Sequence, residues 1–319
     1  VDAIKEVVSV SIGSSKRDHS VDVELFGEVF RISRRGTDGD MEAAEALFRE
    51  LDGKVDAFGM GGIDFYLRAA GRDYYFRDAK RFRNAVSKTP AVDGSGLKGA
   101  VEGDVVRYMA EDLGLDLAGK KVLVTSAVDR WGMAMGFADA GCEMAYGDLL
   151  YALGIPIMIH ERKTLERVVH TIAPIAVQLP FKWLYETEAD HTSEVKKESK
   201  HSDLYRWADI IAGDYKYVRR YMPEDMSGKW VVTNTTTAED MEFLRSTGVE
   251  LLITSTPRLE GRSFGTNVIE ATMVALDGAK GPLTPERYLE LLAKTNFTPD
   301  VRWLNGPKAA AAPAETAAN

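Results

Sequence analysis

The chain is poor in the residues that build covalent staples and metal cages. A single cysteine, Cys142, among 319 residues leaves no internal disulfide and no thiolate zinc site to form, a usage that suits a reducing, cytoplasmic setting. The five histidines, His19, His160, His170, His191 and His201, never fall at the H-x-x-x-H separation that sets two imidazoles on one helix face, so no metal is expected. No G-x-S-x-G turn exposes a nucleophilic serine, and no G-x-x-x-x-G-K-[ST] loop wraps a phosphate chain. No apolar run approaches the roughly 20 residues that span a bilayer. The opening VDAIKEVVSVSIG puts charges ahead of a brief strand-like run, unlike a secretion signal. A basic surplus is missing too: the formal charge of −9 argues against nucleic acid or anionic membrane as partners, since neither is drawn to an acidic surface.

What is present is ordinary globular material, 45% hydrophobic and 28% charged, long enough for two cores. The most informative stretch runs from Gly119 to Asp148. Val122, Leu123 and Val124 suit a strand buried on both faces. Ser126 to Gly132 turns the chain into a helix with Met133, Ala134, Phe137 and Ala138 on one side, closed by Gly141. Cys142 to Tyr146 then forms a second strand ending near Asp148. This is the order of the first half of a dinucleotide-binding domain, and Asp148 falls 22 residues past Ser126, near the spacing of about 20 at which an acid holds the ribose hydroxyls. Cofactor contacts are therefore expected from Ser126, Ala127, Asp129, Arg130, Trp131, Gly132 and Asp148, with Thr254 and Ser255 from a later strand end. Asp148 favours NAD, while Arg130 leaves NADP open. One element is degraded: only the last glycine of G-x-G-x-x-G survives, so a βαβ unit whose loop binds nothing stays in play.

Elsewhere Val7–Ile12, Val21–Leu25 and Glu28–Ser33 read as strands, Met41–Leu51 as a helix with Ala44, Leu47, Phe48 and Leu51 inward, and Val55–Phe58 as a strand running into Gly59-Met60-Gly61-Gly62. Those glycines either pack under a neighbour or approach a ligand. Arg72–Arg83 mixes aromatic and basic side chains, an interleaving that can bind nucleic acid but in an acidic chain reads first as a solvated, partly amphipathic segment. A short strand at Thr89–Val92 precedes Asp93-Gly94-Ser95-Gly96 and a helix over Val101–Leu113. After Asp148 come a helix at Lys163–Thr171 and strands at Ile175–Leu179, Asp209–Ala212, Trp230–Thr233 and Leu251–Thr254, which complete six with the first two. Glu186–Ser202 is a polar surface segment, and Gly265–Leu276 and Thr284–Lys294 are helices. Arg258 and Arg262, with Gly261, Ser263 and Gly265, form a set that either holds a phosphate or carboxylate or is surface charge.

Thr89 to Ala127, TPAVDGSGLK…LDLAGKKVLVTSA, resembles the shikimate and quinate dehydrogenases, which carry D-G-x-G ahead of a helix, an L-x-G-K connector and the first nicotinamide-domain strand. Asp93, Gly94 and Gly96 match. Ser14, Ser15 and His19 loosely match that family's S-x-S-P-x-x-H carboxylate loop, without its proline. The resemblance implies that Asp93 shares the hydroxyl proton with a lysine. The family's lysine segment has no counterpart, and Lys98 is the preferred substitute; Asp93 as a helix cap or turn residue is the structural alternative. Ser14, Ser15, His19 and Asn267 would bind a hydroxylated cyclic carboxylic acid.

The expected architecture is α/β, a small N-terminal α/β domain plus a Rossmann-like doubly wound parallel sheet. Residues 1–115 form the substrate domain, 116–262 the dinucleotide domain, 263–305 helices closing back on the first, and 306–319 a disordered tail. The leading expectation is NAD(P)-dependent oxidation of the acid. A non-catalytic ligand-binding protein, or a non-redox enzyme of a nucleotide or phosphate ester, stands against it. A homodimer is left open.

Overall fold

The computed structural model describes residues 4–180, 202–255, 265–295 and 298–306. The chain divides into two compact units. One comprises Val1–Val101, Arg167–His191 and Pro257–Thr298; the other comprises Glu102–Glu166, Thr192–Thr256 and Pro299–Asn319. The helices Thr266–Asp277 and Pro285–Ala293 therefore belong with the N-terminal residues, while the segment after Pro299 belongs with the second unit.

The first unit is built on β1 (Lys5–Ser11), whose alternation of valine and serine gives two unlike faces. Strands β2 (His19–Leu25) and β3 (Glu28–Gly36) form a hairpin through Phe26-Gly27, both at positive φ, 57° and 80°. That is the turn whose twist matches paired strands. With β4 (Ala57–Gly61) and β7 (Ala91–Val92) the order is β2-β3-β1-β4-β7, parallel except for the hairpin. A separate hairpin, β5 (Tyr66–Ala69) and β6 (Arg72–Tyr75), occupies part of the aromatic and basic segment.

On one face lies the helix Met41–Leu51, capped by Asp40, which accepts from the amides of Glu42 and Ala43. Its Phe48 meets Phe58 edge-on, ring centroids 4.9 Å apart. On the other face Val268, Ile269, Ala271, Met273 and Val274 of the helix Thr266–Asp277 share a core with Val7, Phe30, Ile32 and Val92. Each such buried valine, isoleucine, phenylalanine or methionine side chain stabilises the unit by about 1.5–3 kcal/mol. Gly278, at φ 67°, ends that helix.

The second unit carries a six-stranded sheet: β8 (Lys121–Val124), β9 (Glu143–Tyr146), β10 (Ile210–Ala212), β11 (Trp230–Thr233), β12 (Leu251–Thr254) and β13 (Asp300–Trp303), in the order β13-β12-β11-β10-β8-β9. All pairs are parallel except β12–β13. The fold is thus α/β and Rossmann-like, with an antiparallel edge. The sixth strand is not the expected one. Ile175 and Ala176 end a helix that runs Arg162–Ala176, its periodicity carrying on past Thr171, and Val177–Leu179 is a turn. The sixth place is taken by β13. The polar segment at 186–201, Arg258, Arg262 and the tail from 307 lie outside the described residues.

Candidate functional site

In an open parallel sheet, ligands sit at the carboxyl ends of strands where the winding direction reverses. In the second unit that point falls between β8 and β10, flanked by the loops Thr125–Arg130 and Gly213-Asp214. Of the residues expected from sequence to meet a cofactor, Ser126, Ala127, Asp129, Arg130 and Asp148 lie here, whereas Thr254 and Ser255 end β12, beyond β11. Arg130 Nη2 lies 2.6 Å from Asp214 Oδ2 and ties the two loops together. Its Nη1 bonds Glu102, and its Nε lies 3.2 Å from Asp129 Oδ2. Burial works against the guanidinium charge, but Glu102, Asp129 and Asp214 outweigh it and hold Arg130 protonated. Ser126 Oγ accepts from the Asp214 amide at 3.2 Å, and Asn234 Nδ2 donates to Asp214 Oδ2 at 3.1 Å.

Asp148 closes the phosphate end of the loop. Its carboxylate accepts from the amides of Ala127 (3.1 Å) and Val128 (2.8 Å). These are among the N–H groups that would face a pyrophosphate, and Asp148 is the acid that would face a ribose. The two are bonded to each other. Although Asp148 as a residue is only half-buried, its carboxyl end is shut away from water, and desolvation pushes its pKa up to about 7, against the pull of those amides. Trp131 is half-buried as the first residue of the helix Trp131–Asp139, and the Gly132 carbonyl lies 3.8 Å from where a Cβ on Gly103 would stand, against the helix Ser95–Glu111. Thr254 and Ser255 are buried at the end of β12, with the Ser255 amide donating to Thr233 O at 2.8 Å.

A nicotinamide dinucleotide asks for free loop amides, space for two phosphates and a balance of charge that welcomes them. The residues present do not fit it. Two loop amides are taken by Asp148, an ion pair bridges the crevice, and among the described residues Arg130 faces three carboxylates.

In the first unit the resemblance residues fall into two groups. Asn267 Nδ2 donates to Ser9 Oγ at 3.0 Å, and a Cβ on Gly59 or Gly94 would come within 2.7 Å of the Asn267 carbonyl or 2.8 Å of its amide. These glycines let the first turn of Thr266–Asp277 settle onto the strand ends, the packing explanation of the Gly59–Gly62 run. Asp93 stands beside this contact. It accepts from the Phe65 and Ser95 amides and, at 3.0 Å, from Ser95 Oγ. Burial raises its pKa, and Ser95, Phe65 and the Lys98 charge pull it back. Asp93 is therefore a turn-forming carboxylate with Lys98 as its electrostatic neighbour.

The second group is the loop after β1. Ser14 caps a short turn at Ser15–Arg17. Ser15 gives both its amide (2.8 Å) and its hydroxyl (2.6 Å) to Asp38, and His19 Nδ1 lies 3.0 Å from Arg17 O. The Ser15 donors expected to receive a substrate carboxylate are thus held by Asp38, and the His19 ring lies against a backbone carbonyl. Arg34 joins this loop to the strand ends, donating to Ser14 O, Asp18 and Ser11 Oγ.

Sequence reasoning passed over Glu102, Asp38, Tyr66, Glu270 and Tyr288. Glu270 had a signal: it is the lone acid in the apolar run Val268–Leu276 and is fully buried. Among the described residues no group of three or more His, Cys, Asp or Glu side chains could hold a metal, and no helix is long and apolar enough to cross a membrane.

Residues 96–304 match the family described as Domain of unknown function (DUF8754), and residues 6–93 match Domain of unknown function (DUF8753). The chain belongs to the DUF8754 family. No curated protein matches it in sequence. Similar solved structures include the hetero-hexameric glutamate dehydrogenase from Thermus thermophilus, 13% identical over 92% of this chain and 73% of that one, TM-score 0.42. The malic enzyme of Entamoeba histolytica is 10% identical over 91% of this chain and 61% of that one, TM-score 0.43. GanP, a glucose-galactose binding protein from Geobacillus stearothermophilus, is 10% identical over 95% of this chain and 98% of that one, TM-score 0.37. At these scores the likenesses carry no argument about activity. The fold class of this DUF8754 chain rests on its own strand order, and the family it matches is not the one suggested by Asp93, Gly94 and Gly96.

Proposed function

We propose that this protein binds a small molecule without transferring hydride. The observation that carries the reading is the switch-point crevice of the second unit, bridged by Arg130–Asp214 and sealed at its amides by Asp148. A pyrophosphate would have to displace a carboxylate from its hydrogen bonds and face Asp129, Asp214 and Glu102 across a single guanidinium. Electrostatics of that sign repel polyanions. Recognition is left to the first unit, where glycine-lined strand ends, Asn267 and Asp93 meet buried tyrosine and glutamate side chains.

The rival reading is NAD(P)-dependent oxidation of a hydroxylated cyclic carboxylic acid. What favours it is Lys98 acting on Asp93, a pairing that could exchange a hydroxyl proton. Titration with NADH and NADPH, followed by energy transfer from Trp131, separates the two. No saturation up to millimolar cofactor is expected. Micromolar binding that is lost in Arg130→Ala would overturn the non-redox reading.

A further inference from the structure

Among the described residues of the first unit, two buried polar atoms have no hydrogen-bond partner, Tyr66 Oη and Glu270 Oε2. Their residues are 6% and 0% exposed. Leaving such atoms unbonded costs about 1–3 kcal/mol each, so a fold keeps them where something else uses them. Both belong to one cluster around the Ser95-Gly96 turn: Ser95 Oγ donates to the Tyr66 carbonyl at 3.4 Å, and a Cβ on Gly96 would meet Glu270. After burial itself, Glu270 and then Asp93 act most strongly on Tyr66, Asp93 is the chief charge acting on Glu270, and Tyr66 also acts on Tyr288.

The other side of Glu270 is committed. Its Oε1 accepts from Tyr288 Oη, and the Gly94 and Leu97 backbones also stabilise the carboxylate. A Cβ on Gly96 would come within 2.5 Å of that same oxygen. Oε2 takes no hydrogen bond among the described residues. Burial, with Asp93 adding to it, pushes the Glu270 pKa up to about 8, so at neutral pH the group is a neutral acid. With Oε1 accepting, the proton rides on Oε2. The Tyr66 phenol is likewise held protonated by burial. A desolvated carboxylic acid and a phenol are both hydrogen-bond donors to an oxygen placed between them.

We propose that Tyr66 Oη and Glu270 Oε2 form a two-point site for one oxygen, a carbonyl or hydroxyl, of a small uncharged ligand. A carboxylate ligand would have to lie beside Asp93 and is disfavoured. A cation would meet two donor hydrogens and is disfavoured as well. The inference deepens the small-molecule reading above and rests on it.

The test uses the full chain with myo-inositol and cyclohexanone as uncharged probes and quinate as the anionic one, by calorimetry at pH 7 and pH 9, alongside thermal unfolding. An uncharged probe is expected to bind, and Tyr66→Phe to weaken it about tenfold while leaving the melting temperature unchanged or higher, because only an unbonded hydroxyl is removed. Glu270→Gln keeps a donor in place of Oε2–H, so its binding should stay close to wild type and lose the weakening that wild type shows at pH 9. Glu270→Leu should abolish it. Equal affinities in all four proteins, a large melting loss in Tyr66→Phe, tighter binding of quinate, or no heat with either uncharged probe would each overturn the site. The first of these leaves the small-molecule reading standing, whereas NADH binding removes that reading first.

Discussion

Asp148→Asn is the substitution that bears most directly on the sealed loop. The wild-type carboxyl rises from its ordinary 3.8 to about 7 on folding, so between those values the folded chain holds a proton that the unfolded chain has released. Stability contributed by this group is therefore complete at low pH and is lost as pH climbs through about 7. Integrated from pH 5 to pH 8, the loss is about 2.5 kcal/mol. Asparagine cannot titrate, so the variant should lack that part of the slope. It should also pay about 1–3 kcal/mol at pH 5, because an amide N–H2 now meets the Ala127 or Val128 N–H. Glu270 adds a slope of the same sign in both proteins, so it cancels in the comparison. Urea unfolding of wild type and variant at pH 5, 6, 7 and 8 gives the difference curve. A difference that does not change with pH, or one that grows in favour of wild type as pH rises, would refute the burial of the Asp148 carboxyl as the force that sets its protonation.

Arg130→Leu should lower stability by about 3–5 kcal/mol in denaturant unfolding, since it takes the shared guanidinium away from the buried Glu102 and from Asp214; the double variant Arg130→Leu, Glu102→Leu should recover a large share. If the single and double variants are equally unstable, the knot is not what holds the crevice. Gly94→Ala should lower the melting temperature, as Gly94 has φ 96° and its new Cβ would strike the Asn267 amide. A melting temperature equal to wild type would count against the docking of Thr266–Asp277 on the strand ends.

Much of the framework was legible because local and global preferences coincide. Asp40 ahead of an apolar stripe marks the helix Met41–Leu51, and Gly141 marks the stop before β9. The sixth strand was not legible. Ile175 to Leu179 is mostly apolar with two β-branched residues, but only Val177 continues the buried stripe of Leu165, Val169 and Ala173, while Ile175 and Leu179 are exposed, and tertiary packing decides between strand and helix. Conversely β13, DVRW, has no apolar run to announce it: it is an edge strand with half-buried residues throughout, bonded on one side only, so nothing demands a hydrophobic sequence. At the site, spacing correctly brought Asp148 to the loop at Ser126. Spacing fixes distance and not direction, and whether a carboxylate turns toward a ligand or onto its own backbone depends on the loop side chains that replaced two glycines. Glu270 could have been found as a lone acid among apolar neighbours; Tyr66 could not, since an orphaned hydroxyl exists only once its surroundings are packed.

The N-terminal sheet takes one of its two covers from residues far downstream, Val268 lying 176 positions past Val92 of its last strand. While the chain is being synthesised, Val7, Phe30, Ile32 and Val92 therefore wait, with that side of the sheet bare, until Val268 to Val274 have been made. A fragment ending near residue 101 would expose this oily surface and should clump rather than fold, which makes the protein's birth, more than its finished state, the stage at which it depends on chaperones.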